Sequence, residues 1–281
     1  MMLHTTAKVI ADSVSGERRL TTIEVTFHRF VLAEFNTHRQ FSRNSASSRA
    51  IPVEKQLERL RESPALPISW PREQPGMQGG NELVGDDLAD AVGLFDEVYQ
   101  FTLHSIERYV DEHPDKARRL HKSVVNRLLE PFMWHTVVVS STEWDNFFGL
   151  RCSPLAQPEI RVAAEIIRSV YDTSHPVAVP LASSIDDTTA ENWHLPYISD
   201  EERHELSLDQ LQQISTARCA RVSSLHAGDR GDYEKDYRLF ETLTTARPPH
   251  ASPLEHIATP CREGHRHGNL DGWHQLRHVR R

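Results

Sequence analysis

Residues Arg19 to Phe30 read R-L-T-T-I-E-V-T-F-H-R-F, and Ile23, Val25 and Phe27 alternate against polar neighbours. That alternation is the period of a half-buried strand, so the stretch is expected to be one. Ala7 to Val14, just upstream, reads as a second strand pairing with it, the Gly16 region being the turn. Working outward, Pro52 breaks the chain before a helical Val53 to Glu62. Residues 63–85 hold Pro64, Pro67, Pro71 and Pro75 with four glycines, which predicts an irregular excursion, a lid or an insertion.

Helical periodicity dominates the chain beyond residue 85. From Asp86 to His113, Leu88, Val92, Phe95, Val98, Thr102, Ile106 and Tyr109 recur every three or four positions, the stripe of a long amphipathic helix facing the core. Lys116 to Glu130 reads as a second helix stopped by Pro131, and Ala156 to Tyr171 as a third with Ile160, Ala163, Ala164, Ile167 and Tyr171 on one face. Residues 172–196 read as a loop; Ser207 and Gln210 then have the spacing of a capping box opening a helix to about Arg221, and Asp232 to Thr245 comes next as another. The expected class is α/β (α+β), one domain over residues 1–281 with a loop insertion at 63–85.

The chain has 281 residues, 38% hydrophobic and 26% charged, enough to bury a sizeable core without staples. No apolar run is long enough for a membrane span, and Met1 to Gly16 lack the features of a secretory signal, so a cytoplasmic home is expected. Cys152, Cys219 and Cys261 are too few and scattered for a disulfide framework. A net charge of -8 argues against a binder of nucleic acid polymers but leaves room for a local basic pocket.

One such pocket is suggested by Glu34 to Arg49, E-F-N-T-H-R-Q-F-S-R-N-S-A-S-S-R, where a histidine and three arginines stand among small hydroxyl side chains able to donate to phosphate oxygens. A polar loop with exposed arginines fits the same composition. A second constellation is Glu143 to Arg161, E-W-D-N-F-F-G-L-R-C-S-P-L-A-Q-P-E-I-R. Here Asn146 can read a heterocycle edge and Arg151 can neutralise a carbonyl oxygen that becomes negative. Alternatively, Asn146 and Gln157 cap helices while Arg151 pairs with Glu159. In the third, His250 to His256, H-A-S-P-L-E-H, serine and proline look like a helix start, and Glu255 with His256 suits acid and base roles.

Together the three stretches resemble the flavin-dependent thymidylate synthases. The family's R-H-R-x-x-S-x-N-E-x-S-x-R-Y signature is matched in residues 37–50 at His38, Arg39, Ser42, Asn44, Ser47 and Arg49. Its N-x-x-x-L-R-x-x-x-x-A-Q-x-E-I-R segment is matched at Asn146, Leu150, Arg151, Ala156, Gln157, Glu159, Ile160 and Arg161. His250 to His256 looks like its H-x-S-P-x-E-H element, Ala217 to Ser223 resembles its A-x-R-V-S helix, and Arg127 to Pro131 is similar to A-R-x-x-L-P. The order differs: the last helix and element precede the signature in the family but lie about two hundred residues after it here, as in a circular permutation.

The resemblance implies an antiparallel-rich sheet with long helices, and a homotetramer with sites built between subunits. It implies FAD as cofactor, contacted by Thr37, His38, Arg39, Ser45, Asn146 and Ser252, with NADPH and methylenetetrahydrofolate as co-substrates. Deoxyuridylate (dUMP) would be held by Glu34, Ser47, Arg49, Arg127 and Arg151, with Arg151 and Ser47 catalytic and no metal. Thr37 replaces the family's first arginine, Ser45 its glutamate, and Glu34 stands where glutamine is common. These departures leave another pyrimidine nucleotide, hydroxymethyl in place of methyl transfer, or a non-catalytic nucleotide-binding module as alternatives. Two further readings carry less weight: Cys152 as an activated thiolate beside Arg151, and a zinc site from Cys261, His265 and His267, whose spacing matches no standard pattern.

Overall fold

The computed structural model describes residues 5–222, 232–262 and 266–279. A five-stranded sheet runs in the order β3-β4-β2-β1-β5. β1 (Thr6–Ser15) and β2 (Arg18–His28) form the expected antiparallel hairpin, turning at Gly16 with φ +58°, a left-handed conformation that favours glycine. β4 (Trp134–Ser141) lies antiparallel between β2 and the short β3 (Ser42–Ser45), and β5 (Val177–Ala178) adds in parallel beside β1. The mixed α/β class and the mainly antiparallel sheet agree with expectation.

The two faces differ in what covers them. Ile23, Val25 and Phe27 pack with Val137 and Val139 against Ile160, Ala163, Ala164 and Ile167 of α6 (Pro158–Thr173), joined by Phe35 of α1 (Leu32–Asn36) and Phe147 of α5 (Asp145–Arg151). On the other face Val138 packs with Trp193, Leu211 and Cys219, the last two from α8 (Leu208–Ala220), and with Phe240 of α9 (Tyr233–Thr245). α8 opens at Ser207 with the predicted capping box. The short α7 (Asp200–Glu205) has a capping box of its own. Small strands β6 (Ala258–Pro260), β7 (Arg266–His267), β8 (Leu270–Asp271) and β9 (Trp273–Gln275), with α10 (Leu276–Val279), close the C-terminal part.

A third core joins α2 (Val53–Glu62), α3 (Gly85–Glu112) and α4 (Lys122–Leu129). Here two expectations need correction. The buried stripe of α3 is Tyr99, Leu103 and Ile106, while Val92 and Val98 are exposed. The helix expected over Lys116 to Glu130 is interrupted: Arg119 is extended, because its guanidinium turns back to Glu54 and to the carbonyls of Val110 and His113 at the end of α3. A new helix then starts behind His121, whose ring accepts from Ser123 N–H.

Residues 63–85 carry no long element, as expected, but they are pinned. Leu83 N–H donates to the Trp70 carbonyl and Arg72 N–H to Asn81, while Ile68 N–H donates to Glu159 Oε1 at 3.0 Å and the His28 ring bonds the Leu66 carbonyl at 2.9 Å. Among the described residues no helix is long and apolar enough to cross a membrane.

Candidate functional site

The three sequence stretches, far apart along the chain, converge around β3. At its near end, α1 and the turn after it meet the C-terminus of α5. Arg151 Nε donates to His38 Nε2 at 2.9 Å, and Arg151 Nη2 donates to Thr37 Oγ1 at 3.1 Å and to the Glu34 carbonyl at 3.3 Å. Thr37 in turn donates to that carbonyl at 2.6 Å. His38 packs its ring edge against Phe147, with centroids 4.9 Å apart. Burial, then the charges of Arg151 and Arg43, push His38 down to about 4, so the ring is neutral and its Nε2 lone pair is free to accept from the guanidinium. Two unspent groups remain: Arg151 Nη1 makes no hydrogen bond with the described residues, and Glu34 Oε2 is buried without a partner.

Arg151 therefore does not pair with Glu159, which is buried and accepts instead from Ile68 and Gln157. Nor does Asn146 cap a helix: it sits exposed inside α5, whose N-cap is Trp144. Gln157 does hold the N-cap position of α6, but its side chain bonds Glu159 rather than the backbone.

Past the far end of β3 the chain enters a second region. Ser47 lines a cavity of about 470 Å³ between α2 and the ends of β2 and β4. Asn126 of α4 holds this loop by donating to the carbonyls of Ser48 at 2.7 Å and Ile51 at 3.0 Å. Beside it, Glu130 Oε1 accepts from Ser48 Oγ at 3.1 Å and Arg127 at 2.9 Å and is ion-paired with Arg29 at 3.0 Å. One carboxylate between two guanidiniums leaves a net positive charge. Arg29 also donates to His135 Nδ1 at 2.8 Å, and burial with that cation pushes His135 down to about 3. Arg49 and Ser45 are exposed.

The third stretch meets the other face of β3. Ser252 opens a single 3-10 turn with Pro253, in line with the expected helix start. The Asn44 amide nitrogen faces the carbonyls of Arg43 (3.1 Å) and Ser252 (3.2 Å) and His256 Nε2 (3.3 Å). From His256 a buried chain of hydrogen bonds crosses three strands: His256 Nδ1 to Ser140 Oγ (2.8 Å), Ser140 to Thr22 Oγ1 (2.6 Å), Thr22 to His194 Nε2 (2.7 Å), and His194 Nδ1 to Ser13 Oγ (2.8 Å). Burial pushes both histidines down to about 3, and two neutral imidazoles alternating with hydroxyls satisfy every member. Glu255, expected to share acid and base work with His256, is instead ion-paired with Arg277.

No local pattern marks Arg29, Glu130, His135 or His194 in the sequence, because each joins the site only through sheet pairing or a long loop. Gln56 and Arg59, which also line the Ser47 cavity, sit on what reads as an ordinary amphipathic helix. Burial pushes the Cys152 thiol up, against the thiolate reading. His265 lies outside the described residues, as does Ser223 of the A-x-R-V-S match, and the described residues hold no metal-binding group of His, Cys, Asp or Glu. The six residues implied for the flavin differ in their contacts. Thr37 and His38 are spent on Arg151, the Ser252 carbonyl on Asn44, and Arg39, Ser45 and Asn146 are exposed.

No family model matches this chain, and no curated protein matches it. Among solved structures, it is similar to a UMP/dUMP methylase PolB from Streptomyces cacaoi bound with 5-Br UMP, at TM-score 0.46 and 16% identity over 59% of this chain and 88% of that one. The same methylase bound with 5-Br dUMP gives TM-score 0.46 and 14% identity over 59% and 89%.

Proposed function

We propose that this chain is a thymidylate synthase-like methyltransferase, moving a one-carbon unit from methylenetetrahydrofolate to carbon five of dUMP with FAD and NADPH. The observation that carries this reading is the anchored guanidinium of Arg151. Three hydrogen bonds hold it, a neutral histidine adds no competing charge, and Nη1 is left for an incoming oxygen. For carbon five of a uracil ring to become nucleophilic, charge must build on a ring carbonyl oxygen. A preorganised donor at that oxygen is worth about 2.7–4 kcal/mol in the transition state. Glu34 Oε2, buried without a partner, is the acceptor this reading assigns to a ring N–H, which a uracil imide supplies.

A cytosine amino group would satisfy Glu34 equally, which keeps a second pyrimidine nucleotide in view as substrate. FAD belongs to this proposal as a group held between copies of the chain. Apolar side chains left exposed on α3 and α4, among them Leu94, Phe101, Val124 and Leu128, support packing of copies into a homotetramer.

The test is tritium release from dUMP labelled at carbon five, with FAD, NADPH and methylenetetrahydrofolate present, alongside the visible spectrum of the purified protein. Flavin absorbance with release supports the proposal. Release from labelled dCMP alone moves the substrate, and no flavin with no release from either nucleotide reduces the chain to a binding module.

A further inference from the structure

The cavity behind Ser47 contains polar groups that the protein itself leaves unsatisfied. Gln56, Arg59 and Ser63 follow one another at three- and four-residue steps, so α2 and its C-cap present them on one side, and all three line the cavity. Gln56 is 4% exposed, yet its Oε1 is buried with no hydrogen-bond partner, and Ser63 Oγ is in the same condition. Burying such a group unpaired is costly, and native interiors seldom do it without a reason. Arg59 is half-buried and forms no ion pair with the described residues. Opposite α2 stand Ser47 and the hydroxyl pair Thr26 and Thr136, bonded to each other at 2.8 Å.

We propose that this cavity binds the sugar-phosphate end of a nucleoside monophosphate, with Arg59 and Ser47 on the phosphate and Gln56 Oε1 and Ser63 on a sugar hydroxyl. The volume, about 470 Å³, lies within the usual range for small-ligand sites. The surrounding charge favours an anion. Glu62 at the rim offsets Arg59, but Arg29 and Arg127 share the single carboxylate of Glu130, and Arg49 stands exposed on the Ser47 turn. The assignment rests on the nucleotide function proposed for the chain as to the identity of the ligand, and on the cavity alone as to its chemical class. It adds Gln56, Arg59 and Ser63, which belong to none of the three motif stretches.

Calorimetric titration of the full chain with dUMP, deoxyribose 5-phosphate, deoxyuridine and inorganic phosphate tests it. Deoxyribose 5-phosphate should bind, and deoxyuridine should bind at least about tenfold more weakly than dUMP. Arg59→Gln should weaken dUMP and deoxyribose 5-phosphate about tenfold or more, leaving deoxyuridine unchanged. Gln56→Leu should weaken the same two about fivefold, leave inorganic phosphate unchanged, and raise or keep the melting temperature because an orphaned acceptor is removed.

If neither variant changes the affinity for either phosphate ester, the cavity holds only water and the proposal falls. Turnover of dUMP with KM unchanged in both variants would sink the cavity assignment and leave the proposed reaction standing. Deoxyribose 5-phosphate bound through Gln56 and Arg59, with no pyrimidine nucleotide turned over, would do the reverse.

Discussion

Acid should unfold this protein well above the carboxylate range. His135, His194 and His256 are pushed down to about 3 and His38 to about 4, and all four are at most 9% exposed. When unfolded, each returns to an ordinary value of about 6.5. Below that pH the unfolded chain takes up protons that the folded chain refuses. The stability tied to neutral imidazoles is therefore intact above about pH 7 and drains away as pH falls toward the folded values. Each histidine costs about 0.8 kcal/mol at pH 6 and about 2 kcal/mol at pH 5, so four cost about 3 and about 8 kcal/mol. The second figure rivals the whole stability of a typical domain, about 5–15 kcal/mol. His28, lowered by burial, pulls the same way, and Glu202, held below its usual range against its burial by hydrogen bonds from Arg218, titrates at lower pH than this window. Urea unfolding followed by tryptophan fluorescence between pH 7.5 and 5.5 should give a slope equivalent to about three protons taken up near pH 6. A slope below one proton would mean that these rings are not held neutral in the folded chain.

Other perturbations test single features. Arg218, 2% exposed, is gripped by both oxygens of Glu202 at 2.6 and 2.9 Å, so Glu202→Ala, which leaves that cation short of a partner, should cost about 3–5 kcal/mol in urea unfolding. A loss under about 1 kcal/mol would show that Asp236, 3.4 Å from the same guanidinium, carries the charge alone. Thr22→Val keeps the volume but cuts the buried chain between Ser140 and His194, and should cost about 1–3 kcal/mol by thermal or urea unfolding; no loss would show that the chain is slack. Gly16→Ala meets no atom within 4 Å, so its expected cost of about 1 kcal/mol is purely the backbone penalty of φ +58°, and a neutral result would mean the turn relaxes to another form.

Where the sequence was legible, a local rule decided the outcome. The β1–β2 hairpin came from alternation around Ile23, Val25 and Phe27, α2 began after Pro52, and α8 opened at its Ser207 capping box. β4 was not read at all, although it sits between β2 and β3: Val137, Val138 and Val139 are buried on both faces, so no alternation marks them. The break at Arg119 depends in part on Glu54 of α2, which no window of local sequence around Arg119 contains. In the site, motif matching picked out the three stretches that meet around β3, although it assigned His38 and Thr37 to the flavin and Arg151 to the nucleotide rather than to each other. It did not foresee that Arg127 would be shared with Arg29 on Glu130, or that α2 would bring Gln56 and Arg59 to Ser47, since those meetings depend on how a helix packs over the sheet.

The most direct measurement compares tritium release from carbon-five-labelled dUMP by the wild-type chain with that by Arg151→Ala, at saturating nucleotide and with all co-substrates present. Wild-type turnover with a loss of about a hundredfold or more in kcat for a variant that still folds cooperatively is the predicted result. Wild-type kcat retained by a folded Arg151→Ala protein would contradict the role assigned to the anchored guanidinium.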